Sequence, residues 1–192
     1  MTHPRLLALA ACGLMAGCTG DNIGGVQVGG ADGRDEVATG TFEAQVSGLV
    51  TTTLGGSARF GTVLDPETGI AVWVLNLAPA SGSVAGVHFV RRGPRPTTDV
   101  TLGEIRAGGE LPGAEVGGVF VAAEGVRIQA GFFSTTGALD ITQSTVDAMA
   151  GSFEFDARGY VVRPDGSVQQ GEVRVRGTYD ALPGTVFIPP TR

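Results

Sequence analysis

The chain has 192 residues, and the side chains it lacks exclude much of enzyme chemistry. Lysine is absent, so arginine supplies every basic side chain, and the formal charge is −6. Nucleic acid demands basic surfaces that neutralise phosphates, and an acidic chain of this kind argues against it as a partner. Cysteine occurs only at Cys12 and Cys18, and histidine only at His3 and His88. Structural zinc wants several Cys or His ligands, which the chain beyond residue 18 does not have. Long apolar runs are missing too. Leu6 to Gly17 is about a dozen residues, short of the roughly 20 that span a bilayer.

What is present begins at the N-terminus. Arg5 precedes the apolar stretch Leu6–Gly17, which ends in the small residues Ala16 and Gly17 before Cys18. Small residues suit a signal-peptide cleavage site. With Leu14-Met15-Ala16-Gly17-Cys18, the segment resembles a bacterial lipoprotein signal. The resemblance implies cleavage before Cys18, lipidation of its thiol and a membrane held through the attached acyl chains. Leu9-Ala10-Ala11-Cys12 is a competing site, but it leaves only Leu6–Ala11 as apolar core, under the roughly 7–15 residues such signals use. Thr19 stands where inner-membrane retention often places Asp, so the resemblance implies an outer-membrane destination in a cell with two membranes. An ordinary secretory signal is the alternative.

Cleavage would leave roughly 175 residues and a charge of about −7, since Arg5 departs and no acid does. Cys12 would leave and Cys18 would be acylated. No internal disulfide could form, despite the oxidising compartment. The expected organisation is a signal peptide over 1–17, a lipidated cysteine and Gly/Asp-rich tether over 18–38, a β-domain over 39–188 and a short tail over 189–192. About 20 flexible residues reach roughly 25 Å.

From Thr39 the hydrophobic period is two, the pattern of half-buried strands. Phe42, Ala44 and Val46 alternate with Glu43 and Gln45. Ala58–Leu64 leads to a turn at Asp65–Gly69. Ile70–Leu77 is almost wholly apolar, which predicts a strand covered on both faces. Strands are expected over Val84–Arg91, Val119–Ala123, Val126–Phe133, Ala138–Thr142, Met149–Ala157 and Glu172–Tyr179. The last two place Glu154 and Asp156 opposite Glu172 and Arg174. Thr145–Met149 reads as one helical turn at most, and Thr97–Gly118 as irregular. The fold class is all-β: one antiparallel β-sandwich or jelly-roll-like barrel of about 8–10 strands. Gly137–Thr142 followed by Gly151–Ala157 resembles small exported β-sandwich lipoproteins of unassigned role, which implies fold alone.

A short echo recurs at Gly40-Thr41-Phe42, Gly151-Ser152-Phe153 and Gly177-Thr178-Tyr179. It reads as glycine permitting a bend while the aromatic fills the core.

Catalytic equipment is sparse. A Ser-His-Asp site would have to use His88, and no serine sits in a complete nucleophile elbow. Glu154 and Asp156 share one outward face, which suits surface pairing better than acid catalysis. Neither Asp32–Glu36 nor Asp65–Glu67 has the spacing of a calcium loop. No catalytic residue, metal or cofactor is expected. The candidate ligand contacts are Arg91, Arg92 and Arg95 on the stiff segment Arg91-Arg92-Gly93-Pro94-Arg95-Pro96. Guanidinium forks suit anions, so an acidic glycan or a lipid headgroup is the expected kind of partner. The leading functional expectation is a membrane-anchored, non-catalytic domain for binding or envelope structure. The alternative is an envelope-polymer hydrolase using His88 or a carboxylate pair.

Overall fold

A computed structural model describes residues 39–66, 68–79, 83–105, 115–124 and 127–189. The expected signal, Cys18 and tether, and part of the short C-terminal tail, lie outside the described residues. The described residues form nine strands and no helix: β1 (Gly40–Gly48), β2 (Thr52–Leu64), β3 (Ala71–Ala78), β4 (Gly86–Arg92), β5 (Val100–Leu102), β6 (Gly117–Glu124), β7 (Arg127–Ser144), β8 (Met149–Val162) and β9 (Val168–Pro183). The protein is all-β.

Pairing runs β7-β6-β4-β3-β2-β1-β9-β8, and β8 pairs back onto β7. Eight strands therefore close into an antiparallel ring. Apart from β5, neighbours in the ring are neighbours in sequence, and β9 returns to β1. This is a meander, whereas a jelly roll is built from two Greek keys. β5 pairs with β7 from Val100↔Leu139 to Leu102↔Gly137, where β6 has run out, and Leu102 bridges in parallel to Val116. The buried Ser134 hydroxyl fastens this junction. It donates to Gly103 O at 2.7 Å and accepts from Gly118 N at 3.0 Å.

Alternation decides what the ring encloses. Phe42, Phe60, Trp73, Leu75, Phe89, Phe120, Phe132, Phe153, Phe155 and Val175 form one interior cluster. Phe89 meets Phe153 and Phe155 edge-on, at centroid distances of 5.2 and 5.8 Å, a favoured aromatic geometry. The echo explains itself here. Phe153 lies opposite Gly177, and Tyr179 opposite Gly151. A Cβ on Gly177 would stand 2.7 Å from Phe153 Cζ, and one on Gly151 2.9 Å from the Tyr179 hydroxyl. Each aromatic ring lies over the glycine of the neighbouring strand.

Several sequence expectations need correction. The two strands expected at Val126–Phe133 and Ala138–Thr142 are, over the described residues, one strand, β7 (Arg127–Ser144), which absorbs its irregularity in shifts at Ser134/Thr136 and Ile141/Gln143. Thr145–Met149 makes no helical turn. Thr145 N donates to Ala148 O at 2.8 Å, closing a tight β7–β8 connection. β2 starts six residues before Ala58, and the irregular stretch Thr97–Gly118 contains β5. Beyond β9, Val186 and Pro189 are buried.

Two segments cover part of the ring's outside. Val186 packs on Val72, Val74 and Val90 of β3 and β4. Ile105 packs on Val119 and Val121 of β6. Among the described residues, nothing covers the outer face of β1, β9 and β8, which is polar: Glu43, Gln45, Glu154, Asp156, Arg174 and Arg176 are all exposed there.

Candidate functional site

Strand directions put the start of β1, the β2–β3 turn, the end of β4, the β7–β8 turn and the end of β9 at one end of the ring. The arginine segment sits at this end. β4 is held against β3 through Val72↔Arg92. Gly93 then turns the chain with φ +102°, and its N–H donates to Ala71 O at 2.8 Å. Beyond it, the segment is sewn along β7. Ser144 Oγ donates to Pro96 O at 3.1 Å, and Ile141 N donates to Asp99 Oδ1 at 2.7 Å.

The three arginines have different surroundings. Arg95 lies over the Phe60 ring, 5.2 Å from its centroid, and donates to Thr145 O. Stacking of this kind is a favourable cation–π contact. These contacts tie Arg95 to β2 and to the β7–β8 connection. Arg91 follows Val87 and Phe89 on the inner side of β4, is half-buried, and donates to Pro94 O at 3.3 Å. Arg92 takes the outer side and is exposed.

His88 is fully buried on the outer face of β4, under the C-terminal segment. Its Nδ1 is 3.0 Å from Asn76 Nδ2, and its Nε2 is 3.1 Å from Val84 O. An amide N–H can only donate and a carbonyl can only accept, so Nε2 carries the proton and Nδ1 accepts. Asn76 Nδ2 also donates to Phe187 O at 3.1 Å, and its Oδ1 accepts from Phe187 N at 2.9 Å. The Phe187 ring meets the imidazole edge-on at 5.3 Å. Burial lowers the His88 pKa to about 4, partly opposed by the bond to Val84. Both ring nitrogens are occupied, so this imidazole is a clamp for the tail with no nitrogen free for a substrate. Sequence reasoning missed Asn76, whose signal was present: it is the one polar residue inside Ile70–Leu77.

The carboxylate pair stands in the open. Glu154 bonds Arg174 at 2.7 Å, with side chains 51% and 60% exposed. Arg158 bonds Glu172 at 2.9 Å. Arg158 and Glu172 are direct cross-strand partners, while Arg174 lies opposite Asp156 and reaches Glu154 diagonally. The Arg174 pKa is raised, first by its hydrogen bond to Glu154 and then by the charges of Glu154 and Asp156. Glu154 and Asp156 stand on an open sheet face beside Arg174, with no enclosed cleft around them. An open dish of about 480 Å³ lies nearby, lined by Glu43, Gln45, Asp140, Ser152, Glu154 and Arg176 among others. Its groups already serve one another: Arg176 donates to Gln45 Oε1 at 2.8 Å, and Ser152 donates to Asp140 at 3.1 Å. Burial pushes the pKa of the Tyr179 hydroxyl up, helped by Asp140 and Asp99; the hydroxyl donates to Asp140 O at 3.3 Å.

Among the described residues, no group of three His, Cys, Asp or Glu could hold a metal ion, and no helix is long and apolar enough to cross a membrane. No protein-family model matches the chain, and no curated protein or solved structure matches it significantly.

Proposed function

We propose that this protein is a bacterial envelope lipoprotein. In this reading Cys18 carries the lipid, and the β-domain serves a non-catalytic binding or structural role at the membrane, the outer one where the cell has two. The observation that carries the proposal is the run Leu14-Met15-Ala16-Gly17-Cys18 after a short apolar core. The polarity of the ring supports it. A spanning barrel turns apolar side chains to lipid and polar ones to its lumen. Here Phe89, Phe120 and Phe155 fill the interior while Glu154, Arg174 and Arg176 face out. Such a wall has no affinity for hydrocarbon, and an acyl anchor supplies the attachment. We read the closed ring as a small filled barrel rather than a sandwich, because strand pairing continues around it without a break.

The test is metabolic labelling with an alkyne fatty acid in a bacterial host, followed by membrane fractionation. The full chain and Cys12→Ala should take up label and sediment with membranes. Cys18→Ala should lose the label and leave the membrane fraction. Label retained by Cys18→Ala would sink the assignment.

A further inference from the structure

The segment after β9 crosses β3 and β4 as a strap with one pinned end. Gly184 N donates to Phe60 O at 3.0 Å. A Cβ on Gly184 would stand 2.9 Å from Arg59 Nη1, so the guanidinium lies against the backbone there. Beneath the strap, Gly61 leaves the room it needs: a Cβ on Gly61 would stand 2.9 Å from Gly184 O and 3.0 Å from Val186 Cγ2. Past this start the hold is slighter. Val186 rests on Val72, Val74 and Val90. Among the described residues, the hydrogen bonds of 185–189 all run to the Asn76 amide.

The polarity of those bonds is fixed from end to end. Val84 O only accepts, so His88 Nε2 carries a hydrogen. Asn76 Nδ2 gives one hydrogen to His88 Nδ1 and the other to Phe187 O, which leaves Oδ1 to accept from Phe187 N. A second proton on the imidazole must go to Nδ1, where it meets the Nδ2 hydrogens. Turning the Asn76 amide over would offer Oδ1 to the ring. It would also set Oδ1 against Phe187 O and Nδ2 against Phe187 N. No orientation of Asn76 serves a charged ring and a seated strap together.

We propose that residues 185–189 are a proton-operated strap: uptake of a proton at His88 unseats them about Gly184 and uncovers the valine strip of β3 and β4. The proposal is independent of the lipid anchor. The elements packed around His88 leave the ring itself as the titrating group. β3 brings Asn76 to it, β6 Val119, the strap Phe187 and the approach to β4 Val84. Charged groups on the surrounding elements are Arg59 on β2, opposite Asn76 in register, Arg91 and Arg92 at the end of β4, Glu124 at the end of β6 and Glu104 beside Ile105. The ring bonds to Asn76 and Val84 and to none of these. Burial under the strap holds its pKa at about 4 against an ordinary 6.5. Once the strap lifts, the ring meets water and regains the ordinary value, so acid favours the open form. The opening constant then rises about 60-fold between pH 7 and pH 4.5.

The test is amide hydrogen exchange of the full chain at pH 7 and pH 4.5, corrected for intrinsic rates. The Phe187 amide should exchange through an opening that leaves the amides of β1 and β8 protected, and this opening should grow about 60-fold in acid. His88→Gln should flatten that rise. Val186→Ala loosens the strap without touching the polar chain, so it should speed Phe187 exchange by one factor at both pH values and keep the rise. Equal protection of Phe187 and of β1 and β8 at both pH values would mean that the segment leaves only when the whole ring unfolds, and would overturn the proposal. A rise that persists undiminished in His88→Gln would do the same. Wild type supplies a check that needs no variant. Nitrogen NMR of the imidazole and the Phe187 amide should show ring protonation and loss of the Phe187 bond advancing together as pH falls. A doubly protonated ring beside an intact Phe187 bond would sink the strap.

Discussion

The two outer faces of the closed ring are built from the same kind of strand but end differently. On β3 and β4 the outward positions are Val72, Val74, Asn76, His88 and Val90, all buried because Val186 and Phe187 lie across them. On β8 and β9 they are Glu154, Asp156, Arg174 and Arg176, all open to water. The first face spends polar groups sparingly, and each is given a partner, since an unpaired buried group costs about 1–3 kcal/mol. The second spends charges freely, because in solvent they cost almost nothing. Polar residues on the covered face should therefore govern stability, and those on the open face should be close to neutral to it.

The largest effect is expected at Asn76. Asn76→Leu keeps the volume and removes the amide that serves His88 Nδ1, Phe187 N and Phe187 O. Three groups then lack partners, and the loss should be about 4 kcal/mol in denaturant unfolding. Amide exchange of residues 184–189 should accelerate first. A loss under about 1 kcal/mol with unchanged exchange in the tail would mean that this clamp does not hold the covered face.

Acidification should strike the same face next. His88 has a folded pKa of about 4 against an ordinary 6.5, so the folded state prefers the neutral ring. Its stability contribution is complete above about pH 6.5, and it falls as the unfolded chain gains a proton that the folded chain refuses. By about pH 4 the loss reaches about 3 kcal/mol at most. His88→Gln removes that titration while the carboxylates remain. The unfolding midpoint of wild type should therefore drop more steeply between about pH 7 and 4.5 than that of the variant. Parallel pH profiles would contradict the assignment of His88 as a buried neutral clamp.

The two faces also differ in how far the sequence alone exposes them. β1, β8 and β9 were readable because strict alternation marks a strand with one wet side, and their charges predicted the pair of Arg174 with Glu154; the pairing of Glu172 with Arg158 was not foreseen. β3 was readable as doubly covered from its apolar run, but what covers it was not. Val186-Phe187-Ile188 follows Pro183 with no periodicity, and its partner Asn76 lies 111 positions earlier. Closure of the ring is equally nonlocal. β9 returns to β1 through Phe42↔Tyr179, a pairing that local pattern does not encode, and a meander and a jelly roll therefore read alike. β5 is three residues long, too short for any period. The arginine segment was legible as composition. The division of labour within it depends on Phe60 and Thr145, which are remote in sequence.

The smallest effect belongs to the open face. Arg174 and Glu154 make a short contact at 2.7 Å, yet both side chains are more than half exposed. Exposed pairs typically contribute about 0–1 kcal/mol because water screens them and two long side chains lose freedom. Arg174→Ala, Glu154→Ala and the double variant should form a cycle whose coupling is barely detectable and weakens further in high salt. A strong, salt-resistant coupling would indicate that Asp156, which also raises the Arg174 pKa, binds the three into a desolvated network. The open face would then be a fixed electrostatic surface built for a partner, and the contrast with the covered face would lie in what lies across each rather than in how tightly each is held.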